Sequence, residues 1–443
     1  MRNKSLFVLS IVFALSLTHS FAATENKPDD PYFEKFNPTK APKPSHLLLK
    51  RDDRLAICGD SITEQRMYSR IMETYLTVTM PELNIATRQY GWSGEQAPGF
   101  LNRMTNDVLR FKPTAVTTCY GMNDHHYQPY ADEIGNTYRS NQEAIVRGCK
   151  AANVRTIIVG SPGCMGPKTA WGFIKGTAEE RNLNLCTLRN IDVDIAKRDH
   201  VGFADVFWPM YTGDFFAREK FGETYALPGG DAVHPDWAGH TVMAYAFLKA
   251  LGCEGDIGTI TVSLSHAEAK ASKGHKIASG ILQANEGGGR TVQYTITSSR
   301  YPFCAAGATN VHTTIRSGMV IVPFNQDLNR FILIGKNAKA KTYKVTWGEE
   351  SHTYSAAQLK KGVNLANDFE VNPFSAPFKA VDEAVAKKQA FETKQIKEQF
   401  HGAAGQKDME ETVRKTEAER APLVAAIHDA FKPVTHTITI TAE

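Results

Sequence analysis

Short apolar runs alternate with stretches of helical spacing from residue 46 to residue 253, and this alternation limits the possible folds more than anything else in the chain. Arg54–Cys58, Leu83–Arg88, Ala115–Tyr120 and Thr156–Gly160 read as strands. The last is apolar and β-branched in all but its first and last residues, as a central strand covered on both faces must be. Ser61–Met80, Phe100–Phe111, Asn136–Lys150, Asn182–Arg198 and Trp237–Leu251 have helical spacing, and His200–Val206 is a further strand candidate. Strands alternating with helices predict a parallel sheet with helices on both faces.

After residue 253 the pattern changes. Residues 254–370 read as a β-rich accessory domain, with strands at Thr259–Leu264, Thr291–Thr297, Met319–Val322, Phe331–Ile334 and Lys341–Trp347 and a turn at Gly287-Gly288-Gly289. Residues 371–433 form a charge-dense helical segment in which Val381, Ala384, Val385, Phe391 and Phe400 fall near one face. Its mixed charges predict a solvated opposite face, and Pro422 predicts a break. Residues 434–443 alternate as a terminal strand. Residues 23–45 are an extended lead-in to the α/β region at 46–253.

The first 22 residues have the pattern of an export signal. Basic Arg2 and Lys4 precede an apolar run from Leu6 to Leu17, and Thr18–Ala22 ends in small residues, so cleavage is expected after Ala22. The run is too short to span a bilayer comfortably, and no later run is long enough, so a secreted or periplasmic mature protein without a membrane span is expected. A net charge of +4 with no basic block among aromatics argues against a nucleic-acid partner. None of the seven cysteines makes a CxxC pair, which gives no support to a zinc or thiol-redox motif. Cys58 and Cys119 lie in strand-like runs and are expected as buried thiols.

Four short blocks carry chemistry: Gly59-Asp60-Ser61-Ile62-Thr63, Gly91-Trp92-Ser93-Gly94, Gly121-Met122-Asn123-Asp124 and Asp231-Ala232-Val233-His234-Pro235. Taken singly each has an ordinary explanation. Gly-Asp-Ser is common, Gly94 suits a turn, Asn123 suits a loop cap, and Asp231 with His234 suits a metal half-site or a capping pair. Their order and placement say more, because each of the first three follows a predicted strand. Ser61 at a strand-to-helix junction is exposed at the carboxyl end of the sheet, with helix-start amides beside it. His234 supplies a base, Asp231 can fix its tautomer, and Ser61, Gly94 and Asn123 can donate to an oxyanion. The set is complete for serine-based acyl transfer.

On these blocks the chain resembles the SGNH hydrolases, the GDSL-type esterase and lipase superfamily, over about residues 50–253. The resemblance implies a flavodoxin-like three-layer α/β/α fold without a metal or other cofactor, and a C-terminal extension outside the family core. It implies Ser61 as nucleophile, His234 as base, Asp231 as its orienter, and an oxyanion hole of the Ser61 and Gly94 amides with the Asn123 side chain. Ile62 stands where the family usually has Leu, a volume-conserving swap. Gly94 is preferred to Gly91 because it follows Ser in the family's usual context.

The expected activity is hydrolysis of carboxylic esters through an acyl-Ser61 intermediate, with O-acetyl groups on carbohydrates as the substrate class. Trp92, Tyr120 and Trp237 flank the site residues and are candidates to stack on a sugar ring. Two other readings fit the same residues: a lipase or phospholipase, and a non-catalytic glycan-binding protein. A lipid-facing lid has no candidate segment, and the intact Ser61, Asp231 and His234 argue against a pure binding protein. Adjacent His125 and His126 diverge and make a poor metal pair, Asp124 is expected to fix its loop, and Arg66 to lie at the surface.

Overall fold

The computed structural model describes residues 23–169, 171–285 and 289–443. The expected export signal and the first two glycines of the Gly287–Gly289 turn lie outside the described residues. The first sheet contains β1 (Arg54–Gly59), β2 (Ala86–Gly91), β3 (Ala115–Cys119), β4 (Thr156–Gly160) and β5 (Gly202–Ala204), all parallel in the order β2-β1-β3-β4-β5. Its connecting helices are α1 (Ser61–Glu64), α2 (Tyr68–Thr79), α3 (Ala97–Asp107), α4 (Asp132–Ala151), α5 (Ala178–Asp199), α6 (Phe207–Phe221) and α7 (Trp237–Ala250). Strand alternation divides the core into two layers. Leu55 and Ile57 join Ile71, Met72 and Tyr75 of α2 and Phe247 of α7, whereas Ala56 and Cys58 join Phe100 and Met104 of α3 and Ile145 of α4. The fold is a three-layer α/β/α sandwich of flavodoxin-like strand order, which reverses between β1 and β3.

The stretch Ser61–Met80, expected as one helix, is two. Arg66 has φ of +58° and separates α1 from α2. The second strand begins three residues later than the sequence suggests, at Ala86.

The β-rich part forms two sheets. One has the order β13-β10-β6-β7 and is built from β6 (Asp256–Ser263), β7 (Ala269–Ala271), β10 (Arg330–Lys336) and β13 (Val363–Asn364). The other has the order β12-β11-β14-β9-β8 and is built from β8 (His275–Ala284), β9 (Arg290–Ser298), β11 (Thr342–Trp347), β12 (Glu350–Ser355) and β14 (Val434–Ala442). Ile260, Val262, Phe331 and Leu333 of the first pack with Val292, Tyr294, Val345, Trp347, Ile438 and Ile440 of the second. Met319–Val322, expected as a strand, lies within and just after a helix, α8 (Ile315–Ile321). Its β-branched run suggested a strand, but Thr314 caps the start by accepting from the Ser317 amide, and α8 packs on α7.

The remaining helices are α9 (Phe324–Asp327), α10 (Ala356–Lys361), α11 (Leu365–Asp368), α12 (Ser375–Lys394), a π-helical turn at Gln395–Phe400, α13 (Ala403–Lys407) and α14 (Met409–Ala430). Pro422 does not end a helix. It sits exposed inside a continuous α14.

The predicted solvated face of residues 371–433 is present, with Lys379, Glu383, Lys387 and Glu398 exposed, but not every polar residue of the segment lies on it. Lys388, Gln389, Glu392 and Gln395 are buried. Lys388 Nζ reaches Glu73 (2.8 Å), Glu392 (3.0 Å) and the Thr87 carbonyl (2.5 Å). Arg420 Nη2 donates to the same carbonyl at 3.0 Å, and Glu392 accepts from the Gln89 amide at 3.2 Å. The reason is topological. β2 is an edge strand, and α12 and α14 cover its outward backbone groups with charged side chains where another strand would otherwise pair.

Candidate active site

Register brings the first three blocks together. Gly59 pairs across the sheet with Gly91 on one side and Cys119 on the other, so the loops after β1, β2 and β3 leave the same edge side by side. Ser61 is the first residue of α1, whose N-cap Asp60 accepts from the Ile62 amide at 3.0 Å. The fourth block enters from the loop before α7. There Gly229 has φ of +88°, and a Cβ on it would lie 1.8 Å from the His234 carbonyl oxygen, so only glycine allows the turn to close.

Ser61 Oγ lies 2.8 Å from His234 Nε2, and His234 Nδ1 lies 2.7 Å from Asp231 Oδ2. Asp231 Oδ1 accepts from the amides of Val233 (2.9 Å) and His234 (2.8 Å). Burial raises the Asp231 carboxyl, but the His234 amide and imidazole and the Val233 amide outweigh it and hold the group below its ordinary value. A charged Asp231 keeps the proton on Nδ1 and leaves Nε2 to accept from Ser61. Behind the loop, His240 Nε2 meets Gln65 Oε1 at 3.1 Å, and Gln65 donates to the Pro235 carbonyl at 3.3 Å.

The two glycines of the second block differ in the space around them. A Cβ on Gly91 would sit 2.1 Å from the Glu64 amide nitrogen, inside packed structure, whereas Gly94 has φ of +72° and nothing within 4 Å. The Glu95 amide donates to the Trp92 carbonyl at 3.2 Å, closing a turn that needs a positive φ where Gly94 stands. This turn is held from α1: Glu64 Oε2 accepts from the Ser93 amide at 2.5 Å and the Ser93 hydroxyl at 2.7 Å. Lys397, from the π-helical turn, holds Glu64 at 2.7 Å.

The Asn123 side chain is oriented at both ends. Its Nδ2 donates to the Glu95 carbonyl at 3.0 Å, and its Oδ1 accepts from the Tyr127 hydroxyl at 2.9 Å. That pairing fixes which end is the amide nitrogen. Glu95 is anchored by both nitrogens of a buried Arg103 fork at 2.6 Å and by the Tyr120 hydroxyl at 2.8 Å. Asp124 fixes its loop by accepting from the Ala97 (2.8 Å) and Gly121 (2.9 Å) amides. Burial, with the nearby Asp124 and Glu95 carboxyls adding to it, pushes the Asp60 carboxyl up to about 8.

Of the three expected stacking residues, Tyr120 is fully buried and Trp92 and Trp237 are half-buried. Tyr120 is fully buried beneath Glu95 and offers no face to a ligand, because β3 is covered on both sides. Trp92 packs against Arg103 (5.2 Å), Lys397 (5.3 Å) and His401 (4.9 Å). Trp237 lies against Arg70 at 5.6 Å, which pairs with Asp382 of α12. Among the described residues, Trp171 is an aromatic neighbour of the imidazole, 5.8 Å from His234. Nothing in the sequence near Trp171 marks it. Arg66 donates to Thr393 at 3.3 Å. All seven cysteines are buried and free, and among the described residues no helix is long and apolar enough to cross a membrane.

Residues 57–242 match the GDSL-like lipase/acylhydrolase family. No curated protein matches the chain in sequence. Among solved structures, a gut microbial diltiazem-metabolizing enzyme aligns over 91% of this chain and 100% of its own, at 21% identity and a TM-score of 0.72. That likeness shows a shared fold. An acetylxylan esterase from Geobacillus stearothermophilus aligns over 47% of this chain and 98% of its own, at 23% identity and a TM-score of 0.39. An alpha/beta hydrolase enzyme from the metagenome of Lake Arreo, Spain, covers 47% of this chain and 99% of its own, at 22% identity and a TM-score of 0.38.

Proposed function

The chain belongs to the SGNH hydrolase superfamily, and from that premise we propose that it is a serine esterase that cleaves carboxylic esters through an acyl-Ser61 intermediate. The observation that carries the proposal is the continuous hydrogen-bonded line from Ser61 through His234 to Asp231. His234 Nε2 takes the Ser61 proton as Oγ attacks the ester carbonyl, and Asp231 stabilises the imidazolium that forms. The Ser61 and Gly94 amides and Asn123 Nδ2 receive the oxyanion. Each such donor is typically worth about 10²–10³ in rate. His234 then gives its proton to the departing alkoxide. Water, deprotonated by the same nitrogen, attacks the acyl-Ser61 carbonyl, and the imidazolium returns that proton to Ser61 Oγ as the C–O bond breaks and the acid leaves.

The substrate class proposed is an O-acetylated carbohydrate, met outside the cytoplasm after removal of residues 1–22. A site at the open end of the sheet, reached from solvent, suits polar esters. Two measurements test these readings. Hydrolysis of p-nitrophenyl acetate and butyrate by the wild type beside Ser61→Ala tests the nucleophile, and activity that survives the substitution removes Ser61 from that role. Acetate release from acetylated glycans tests the substrate, and the N-terminal residue of the exported protein tests the cleavage.

A further inference from the structure

We infer that Tyr127, Trp171 and Phe173 form a subsite for the apolar face of a six-membered ring carried on the alcohol half of the ester. The inference rests on His234 acting as the base in the proposed esterase.

The three aromatics meet in one cluster. Trp171 and Phe173 stack at 5.6 Å with planes 25° apart, and Tyr127 meets both edge-on at 5.5 Å. Phe173 is 63% exposed, which leaves most of a large apolar ring in water. The loop carrying the pair is pinned at both ends. The Gly166 amide donates to the Ala232 carbonyl at 2.9 Å, inside the Asp231–His234 loop, and the Lys175 amide donates to the Tyr127 carbonyl at 3.0 Å. Asn182 exchanges two 2.9 Å bonds with the Met165 backbone, and Arg181 holds the Gly176 carbonyl at 2.6 Å. These bonds tie the residues on either side of the ring pair to the Asp231–His234 loop and to Tyr127.

Chemistry assigns the half of the ester they face. The base that removes the Ser61 proton must return it to the leaving oxygen, so the departing alcohol lies against the His234 imidazole. Trp171, at 5.8 Å from that imidazole, flanks the alcohol. Tyr127 ties the cluster to the oxyanion side through its bond to Asn123. The occupant is a six-membered ring that presents an apolar face next to the ester oxygen. A pyranose C–H face and an arene both meet that description.

The test compares kcat/KM for an O-acetylated methyl pyranoside, phenyl acetate and ethyl acetate. Trp171→Ala is expected to lower the ratio of ring esters to ethyl acetate about 3- to 10-fold, mainly through KM, with Phe173→Ala smaller and Trp171→Phe restoring most of the ratio. Whichever ring ester responds identifies the source of the ring. An unchanged ratio, or an equal loss on all three esters, overturns the subsite. Calorimetric titration of Ser61→Ala with the same pyranoside and aryl ester separates the two readings. Ring binding that disappears when Trp171→Ala is added, in a protein whose wild type turns over no ester, keeps the subsite and sinks the esterase. Turnover of ethyl acetate with no ring binding does the reverse.

Discussion

Lys397 Nζ stands 2.7 Å from Glu64 Oε1 and 2.9 Å from Glu64 Oε2, although 333 residues separate them. Glu64 in turn grips Ser93, the residue before Gly94. The C-terminal helical segment thus reaches into the wall of the candidate oxyanion hole. Burial raises the Glu64 carboxyl, but the bonds from Lys397 and Ser93 outweigh it and keep the group charged.

Lys397→Met should leave Glu64 free to swing away from Ser93, misplacing the Gly94 amide. The expected result is a kcat about 5- to 30-fold lower with KM within about threefold, because an oxyanion contact acts mainly in the transition state. Lys397→Arg should recover most of the loss. A matched loss in kcat and thermal stability, with no recovery by Arg, would point to general unfolding.

The raised Asp60 carboxyl predicts an alkaline limit. Asp60 Oδ2 lies 3.4 Å from Asn123 Nδ2. Below about 8 the group is neutral, and above it a carboxylate appears beside the oxyanion donors. There it repels the developing negative charge and draws the Asn123 amide toward itself. kcat should fall several-fold above pH 8. Asp60→Asn preserves an acceptor for the Ile62 amide and should flatten that limb, as a pH-rate profile of the two proteins would reveal.

A buried chain in the β-rich part predicts acid sensitivity. The Trp347 indole N–H donates to His436 Nδ1 at 3.0 Å, so His436 carries its proton on Nε2 and directs it to Ser298 Oγ at 3.1 Å. Ser298 then donates to His275 Nδ1 at 2.8 Å, and His275 Nε2 donates to the Ile257 carbonyl at 2.9 Å. Both imidazoles are neutral in this arrangement. Burial, with His275 adding to it, pushes His436 down from 6.5 to about 3. Burial also lowers His275. Below pH 6.5 the unfolded chain binds protons that the native state refuses. The stability due to these groups is full above 6.5 and is lost as pH falls toward 3, at up to about 1.4 kcal/mol per pH unit for one histidine. Urea unfolding between pH 7 and 4 should show this slope, and His436→Asn should reduce it.

Lys388→Met tests the covered sheet edge. The substitution leaves Glu73 and Glu392 buried without their shared cation, for an expected cost of about 3–5 kcal/mol. Burial raises Glu392, but Lys388, Arg420 and Arg88 outweigh it and hold the group charged. A thermal midpoint unchanged by the substitution would count against this account.

The α/β region was legible because its strands are short apolar runs with chemistry at their carboxyl ends. Ser61, Gly94 and Asn123 became candidates for that reason, and Asp231 and His234 through their spacing just before a helix. What escaped the sequence depends on contacts with no local signature. Nothing near Lys397 indicates that Glu64 is its partner, and Lys388 and Glu392 look like any charged pair one helical turn apart. Met319–Val322 misled because β-branched residues favour strands, whereas a capping Thr314 and packing on α7 decide for helix. Tyr120 misled because adjacency to Gly121 in sequence hid the fact that its side chain points into the core.

The position of β14 fixes an order of events during synthesis. This strand lies between β11 and β9, hydrogen-bonded to both, yet it leaves the ribosome long after either. Until it arrives, β9 and β11 each expose an unpaired edge with nothing to bridge them. The larger sheet can therefore close only after β14 has emerged. An incomplete nascent chain would hold two sticky strands that a chaperone, or another copy of the chain, could reach first.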